Sequence, residues 1–140
     1  MPSTRWRSPP AAAPDPAPWL AAVLDTGCVL AFVAIGRASH SKGEALGGIA
    51  ATAWPFLAAL AVGWLVMGVP AVRGWRHPAA LAPAGLTVWG ATVALGMAAR
   101  VIAGQGTAGA FIVVALAFLG LFLMGWRLLW NLAAQLRATR

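Results

Sequence analysis

Four apolar runs, roughly Ala17–Gly36, Leu46–Val72, Ala79–Ala103 and Ala108–Leu129, occupy most of this 140-residue chain and admit almost no charge. Each is long enough to cross a hydrocarbon core about 30 Å thick, which takes about 20 helical residues at about 1.5 Å rise. No run alternates at period two, and each is far longer than a barrel strand of about 10 residues. A helix satisfies its own backbone polar groups in lipid. The expected fold is therefore all-α, a polytopic four-transmembrane-helix bundle whose short connections make neighbouring helices antiparallel. With 61% hydrophobic and 9% charged residues, little chain is left over for a soluble module.

The organisation follows from the punctuation. Residues 1–18 carry Pro2, Pro9, Pro10, Pro14, Pro16 and Pro18, a density that denies helix and sheet and predicts a disordered tail. The transmembrane domain is expected over 19–132, followed by a basic tail over 133–140. Pro55 lies inside the second run and should kink it, freeing a carbonyl. With four spans, Arg5, Arg7, Arg73, Arg76, Arg127, Arg137 and Arg140 share one side, against Arg37, Lys42 and Arg100 on the other. Seven against three puts both termini in the cytoplasm of a multi-pass protein of the inner cell membrane. The triplet Thr26-Gly27-Cys28 resembles the end of a lipoprotein cleavage box, but Asp25 interrupts the apolar region it needs, so an uncleaved first helix is expected.

A net charge of +7 invites a nucleic-acid reading, but the basic residues flank the apolar runs instead of tracking one face, so nucleic acid is set aside. The single cysteine, Cys28, excludes an internal disulfide and a Cys-based metal site. His40 and His77 lie in linkers without a second ligand at helical spacing, so no metal and no cofactor are expected. There is no nucleophile–base pair and no phosphate loop, which argues against an enzyme.

The chemistry-bearing residue is Asp25, about a third of the way along the first span. Ala21, Val29, Phe32 and Gly36 share its side of the helix. A carboxylate in hydrocarbon needs a partner or a purpose. It is either a proton or cation site or one half of an interhelical pair. Arg37, Arg73, Arg100 and Arg127 end or follow the four helices, where a cation complements the dipole or snorkels to the headgroups. Arg127 is the favoured partner. Side chains lean toward their own helix's N-terminus, so Asp25 and Arg127, on antiparallel helices, lean toward each other. The expected intramembrane network is Asp25, Arg127, Arg100 and Arg37, with Gly120 and Leu116 letting the first helix approach the fourth. Gly36, Gly63, Gly96 and Gly120 are the candidate helix-packing residues. Trp19, Trp75, Trp130 and His40 are placed at interfaces, and Trp64 and Trp89 deeper, as packing residues.

A weak internal match aligns Phe56-Leu-Ala-Ala-Leu-Ala-Val-Gly-Trp64 with Phe118-Leu-Gly-Leu-Phe-Leu-Met-Gly-Trp126. It predicts two tandem helical hairpins related by an axis along the membrane normal. Asp25 has no charged counterpart in it.

Asp25, Ile35-Gly36-Arg37…His40, Trp54-Pro55-Phe56…Gly63-Trp64, Trp89…Gly96-Met97…Arg100 and Gly125-Trp126-Arg127 together resemble an uncharacterised actinobacterial family of small four-helix membrane proteins, domain of unknown function 3054. The resemblance implies the four-helix architecture and no activity. From the residues, the favoured function is a structural or complex-forming bundle around an Asp–Arg network. The alternative is a small transporter or channel subunit using Asp25 as a proton or cation site, which would need oligomers to make room for a path. The expected partners are the lipid bilayer and a second copy or another membrane protein.

Overall fold

A computed structural model describes residues 14–38 and 46–139. The chain forms α1 (Pro18–Ala38), α2 (Leu46–Met67), α3 (Leu86–Ile102) and α4 (Gly109–Ala138), with a short 3-10 turn at Gly74–Arg76 and an irregular turn at Leu81–Gly85 before α3. No strand occurs among the described residues. All four helices are long and apolar enough to span a membrane, counting the turn before α3 as part of its span. The structure is all-helical, as the apolar runs predicted.

Helix ends differ from the apolar runs for local reasons. Gly68 and Pro70 stop α2 at Met67, because the residue before a proline is pushed out of the helical region. Pro83 acts the same way: Ala82 is extended, at φ −132° and ψ 139°, so regular α3 starts at Leu86 rather than near Ala79. At the other extreme α4 continues to Ala138, past the boundary expected at 132, because residues 131–138 contain good helix formers and no Gly or Pro. Residues 14–17 are not a loose tail either. Pro16 is buried, and Asp15 Oδ2 lies 2.7 Å from His77 Nδ1. The disorder expected for residues 1–13, and the interfacial place of His40, fall outside the described residues.

The helices close into a ring in chain order. α1 packs on α2 and α4, and α3 packs on the same two helices. Each helix turns one stripe inward: Ala21, Asp25, Val29, Phe32 and Val33 on α1, Phe56, Leu60, Gly63 and Met67 on α2, Val88, Thr92, Val93 and Gly96 on α3, and Ala115, Leu119, Leu123 and Arg127 on α4. These are spacings of three and four, one face of a 3.6-residue helix. The outward faces carry exposed Val23, Leu65, Ile102, Val113 and Leu121. Contiguous apolar surface of this extent suits lipid and would be a liability in water. The chain is a multi-pass membrane protein of unknown activity.

Close approach of the helices depends on small residues at specific places. A Cβ on Gly63 would stand 3.2 Å from Ala91 Cβ, and one on Gly96 would stand 2.6 Å from Phe56 Cδ1. Phe56 in turn meets Phe32 edge-on, ring centroids 5.5 Å apart, and Phe111 at 6.2 Å. Gly36 faces open space, so it is not a packing glycine, and Gly120 meets the Trp89 ring of α3 instead of admitting α1. Leu116 is exposed. The α4 stripe that carries Arg127 runs back in steps of four, through Leu123 and Leu119, which turns Leu116 and Gly120 away from α1.

The inward stripes repeat at a different register from the sequence match. Buried Ala21, Asp25, Val29 and Val33 correspond, 63 positions on, to buried Ala84, Val88, Thr92 and Gly96. The Gly-Trp match runs at 62, one residue or about 100° of helix away. Gly63 is therefore tightly packed while Gly125 meets nothing.

Candidate functional site

Asp25 sits seven residues into α1, on the stripe that faces the centre of the ring. Its side chain is 0% exposed, and so is that of Arg127. The two form a fork-to-fork pair. Arg127 Nη1 donates to Asp25 Oδ1 at 2.7 Å and Nη2 donates to Oδ2 at 2.8 Å. Paired N–H donors in one plane fit a carboxylate, and charge assistance makes such bonds short and strong. The pair carries no net charge, which lowers the cost of placing it in hydrocarbon.

Two indoles complete the carboxylate. Trp126 Nε1 donates to Oδ1 at 2.8 Å, and Trp64 Nε1 donates to Oδ2 at 3.1 Å. Each oxygen thus accepts two N–H bonds, from α2 and α4 together. A carboxylate offers about four lone-pair positions, and four donors fill them. The Trp126 ring also lies 4.5 Å from the Arg127 guanidinium carbon, a cation–π contact.

The rest of the arginine ties the bundle to the connection between α2 and α3. Nε donates to the Pro78 carbonyl at 3.0 Å, and Nη1 donates to the Leu123 carbonyl at 2.7 Å. One turn on, Asn131 Nδ2 donates to the carbonyls of Ala79 and Arg127 at 2.9 and 2.7 Å. Trp75 Nε1 donates to the Trp64 carbonyl at 2.9 Å. A Cβ on Gly85 would stand 2.8 Å from Met124 Sδ and 3.0 Å from Arg127 Cδ, so a side chain there would crowd the turn against the pair. The arrangement ties α1, α2, α4 and the second connection through two charged side chains.

A family model described as a protein of unknown function, DUF3054, matches residues 22–130. The chain belongs to the DUF3054 family. Neither a curated protein nor a solved structure matches it. The matched segment of this DUF3054 chain contains Asp25, Arg127 and both indole donors, and stops just short of Asn131.

Arg37 and Arg100 do not join the pair. Arg37 lies twelve residues further along α1, roughly 18 Å away at helical rise. Its Nη1 donates to Thr52 Oγ1 at 3.2 Å. Arg100, at the end of α3, donates to Gln105 Oε1 at 2.9 Å and to the carbonyls of Gln105 and Gly106 at 3.3 and 3.2 Å, with its guanidinium 4.4 Å from the Phe111 ring centre. Both arginines serve the opposite end of the DUF3054 bundle. The lean of a side chain toward its helix N-terminus covers about one turn, too little to bridge that span.

Of the tryptophans, Trp19 is 70% exposed at the start of α1, and Trp75 is about half exposed while bonded to Trp64. Trp130 lines a groove with Pro14, Pro16 and Leu20. Trp64 is more than a packing residue, and Trp126 is a second donor that sequence reasoning missed. The available signal was depth. Trp64 is three residues from the end of α2, and Trp126 is adjacent to Arg127, which places both indoles level with Asp25 in antiparallel helices.

Proposed function

We propose that the protein is a structural, complex-forming membrane module whose helix ring is latched by Asp25 and Arg127. The termini face the cytoplasm in this reading, which the seven-to-three distribution of basic residues supports. Its partners lie within the bilayer, as a second copy or another membrane protein. Nucleic acid and a catalytic centre have no part in it.

The observation that carries the proposal is the saturation of the carboxylate. A proton or cation carrier needs a lone pair that its cargo can enter. Here all four positions are taken by N–H donors, and both members of the pair are closed off from the surroundings. A carboxylate held this way fixes helix register. The same geometry speaks against the transporter alternative, since loading Asp25 would first require displacing a bonded indole or guanidinium.

The test compares the wild-type chain with Asp25→Asn in proteoliposomes containing a pH-sensitive dye. The expected result is no proton flux above empty vesicles from either protein, with reduced thermal stability for the variant. Proton flux from the wild type that Asp25→Asn abolishes, at unchanged stability, would reject the structural reading in favour of transport.

A further inference from the structure

α4 is longer than a membrane needs. Its 30 residues extend about 45 Å, against a hydrocarbon core of about 30 Å, so roughly 15 Å overhangs. The helix begins just after the short α3–α4 connection, so the overhang is at the end where α1 begins and α4 finishes. There α4 does not stand alone. The strap of residues 14–17 and the first turn of α1 run beside it, leaving a groove of about 540 Å³. Pro14, Pro16 and Leu20 make one wall, and Trp130, Ala134 and Ala138 the other. The groove is apolar and open along one side, and its inner end at Trp130 lies about 32 Å along α4, level with the edge of a core about 30 Å thick.

Two charged residues mark its rim, Asp15 and Arg137. Asp15 is already taken by His77 at 2.7 Å. Arg137 is exposed and has no hydrogen-bond or ion-pair partner among the described residues. Arg73 and Arg76, in the α2–α3 connection at the same end, are also exposed. The groove thus offers an apolar bed and one uncompensated cation at its mouth.

We propose that this groove holds one anionic phospholipid, with an acyl chain against Leu20, Trp130 and Ala134 and the phosphate at Arg137. Charge complementarity selects the occupant: Arg137 stands unpaired at the rim, Arg73 and Arg76 stand at the same end of the bundle, and the lining is apolar. An indole at this level suits the headgroup boundary, where one face is apolar and the edge is wet. A basic residue near an anionic headgroup contributes a modest, salt-screened attraction, so the lipid is retained selectively and not irreversibly. The proposal depends on the chain being a membrane protein and is independent of the Asp25–Arg127 latch.

The experiment is native mass spectrometry of the full chain in detergent, titrated with dioleoyl phosphatidylglycerol or dioleoyl phosphatidylcholine. The expected result is one phosphatidylglycerol retained in preference to phosphatidylcholine. Arg137→Gln should weaken that retention about fivefold without changing phosphatidylcholine. Arg76→Gln, away from the groove lining, should change neither. Ala134→Trp should fill the groove and remove the bound lipid, and Arg137→Glu, which leaves the groove's shape intact, should expel phosphatidylglycerol more strongly than Arg137→Gln. Equal retention of the two lipids, or phosphatidylglycerol held undiminished by both Arg137 variants, overturns the proposal. Dimers in the wild type that Ala134→Trp disperses would also overturn it, making the groove an interface between copies.

Discussion

The side-chain amide of Gln105 donates to the main-chain carbonyl of Ala51 at 2.8 Å, and Ala51 stands four residues before Pro55. Proline has no N–H, so α2 cannot satisfy that carbonyl itself. Gln105 supplies the missing donor from the α3–α4 connection. Its position is prepared by a helix end. Gly104 at φ 68° closes α3 with bonds from Gln105 N to Arg100 O and from Gly104 N to Val101 O, a Schellman motif. Gln105→Ala should lower stability by ~1 kcal/mol, the usual size of one polar contact in a membrane protein. In a Pro55→Ala background the helix regains its own donor, so the same change should cost less, leaving the loss of the Arg100 bond to Gln105 Oε1. Thermal unfolding in detergent of the four proteins measures this, and an equal cost in both backgrounds would show that the bond does not depend on the proline.

Removing one member of the central pair strands the other. Asp25→Asn or Arg127→Gln should each destabilise by about 3–5 kcal/mol if the site behaves as a buried ion pair, or nearer 1 kcal/mol if it behaves as most membrane polar contacts do. Because the two side chains bond directly, the double variant should recover part of the loss. Strict additivity in the double-mutant cycle would mean the pair does not couple.

The indoles can be tested one at a time. Trp64→Phe and Trp126→Phe keep an aromatic ring and remove one donor from Asp25. Each should cost ~1 kcal/mol, with Trp126 the larger, since its bond is 2.8 Å against 3.1 Å and its ring also stacks on Arg127. Denaturation midpoints for the two variants should fall in that order, and a neutral Trp126→Phe would contradict the saturated carboxylate.

Glycines that look alike in the sequence should respond differently. Gly96→Ala places a methyl 2.6 Å from the Phe56 ring, and overpacking of this kind costs about 1–3 kcal/mol. Gly36→Ala meets nothing within 4 Å and sits inside α1, where alanine is the better helix former, so it should be neutral or slightly stabilising. Melting temperatures in one detergent separate the two, and comparable losses would show that the space around Gly36 is not open.

The orientation is accessible to a fusion. A reporter active only outside the cytoplasm, joined after Arg140, should be silent, and one joined in the linker between α1 and α2 should be active. The reverse pattern would invert the positive-inside assignment.

Four spans, their antiparallel order and the stripe around Asp25 were legible because hydropathy and the 3.6-residue period are local properties of the chain. So was the meeting of Asp25 with Arg127, since the lean of side chains on antiparallel helices follows from backbone geometry alone. The helix ends were harder. Gly68, Pro70 and Pro83 override an apolar run that continues past them, and hydropathy does not register a proline's effect on the residue before it. The repeat shows the same limit. A Gly-Trp match at 62 residues is visible as letters, while burial repeats at 63, and one residue of helix rotates a side chain by about 100°.

Hydropathy along the chain is enough to give four apolar helices and, within the first, a carboxylate that must be compensated, because hydrocarbon tolerates neither an open backbone nor a bare charge. How the compensation is made depends on the packed helices. Trp64 and Trp126 bring their N–H groups to Asp25, Pro78 brings a carbonyl to Arg127, and Gln105 reaches Ala51 from 54 residues away. Each of those contacts depends on the rotation of one helix about its axis relative to another. That rotation is set by how the packed faces fit, where Gly63 and Gly96 admit neighbours and Gly36 and Gly125 do not.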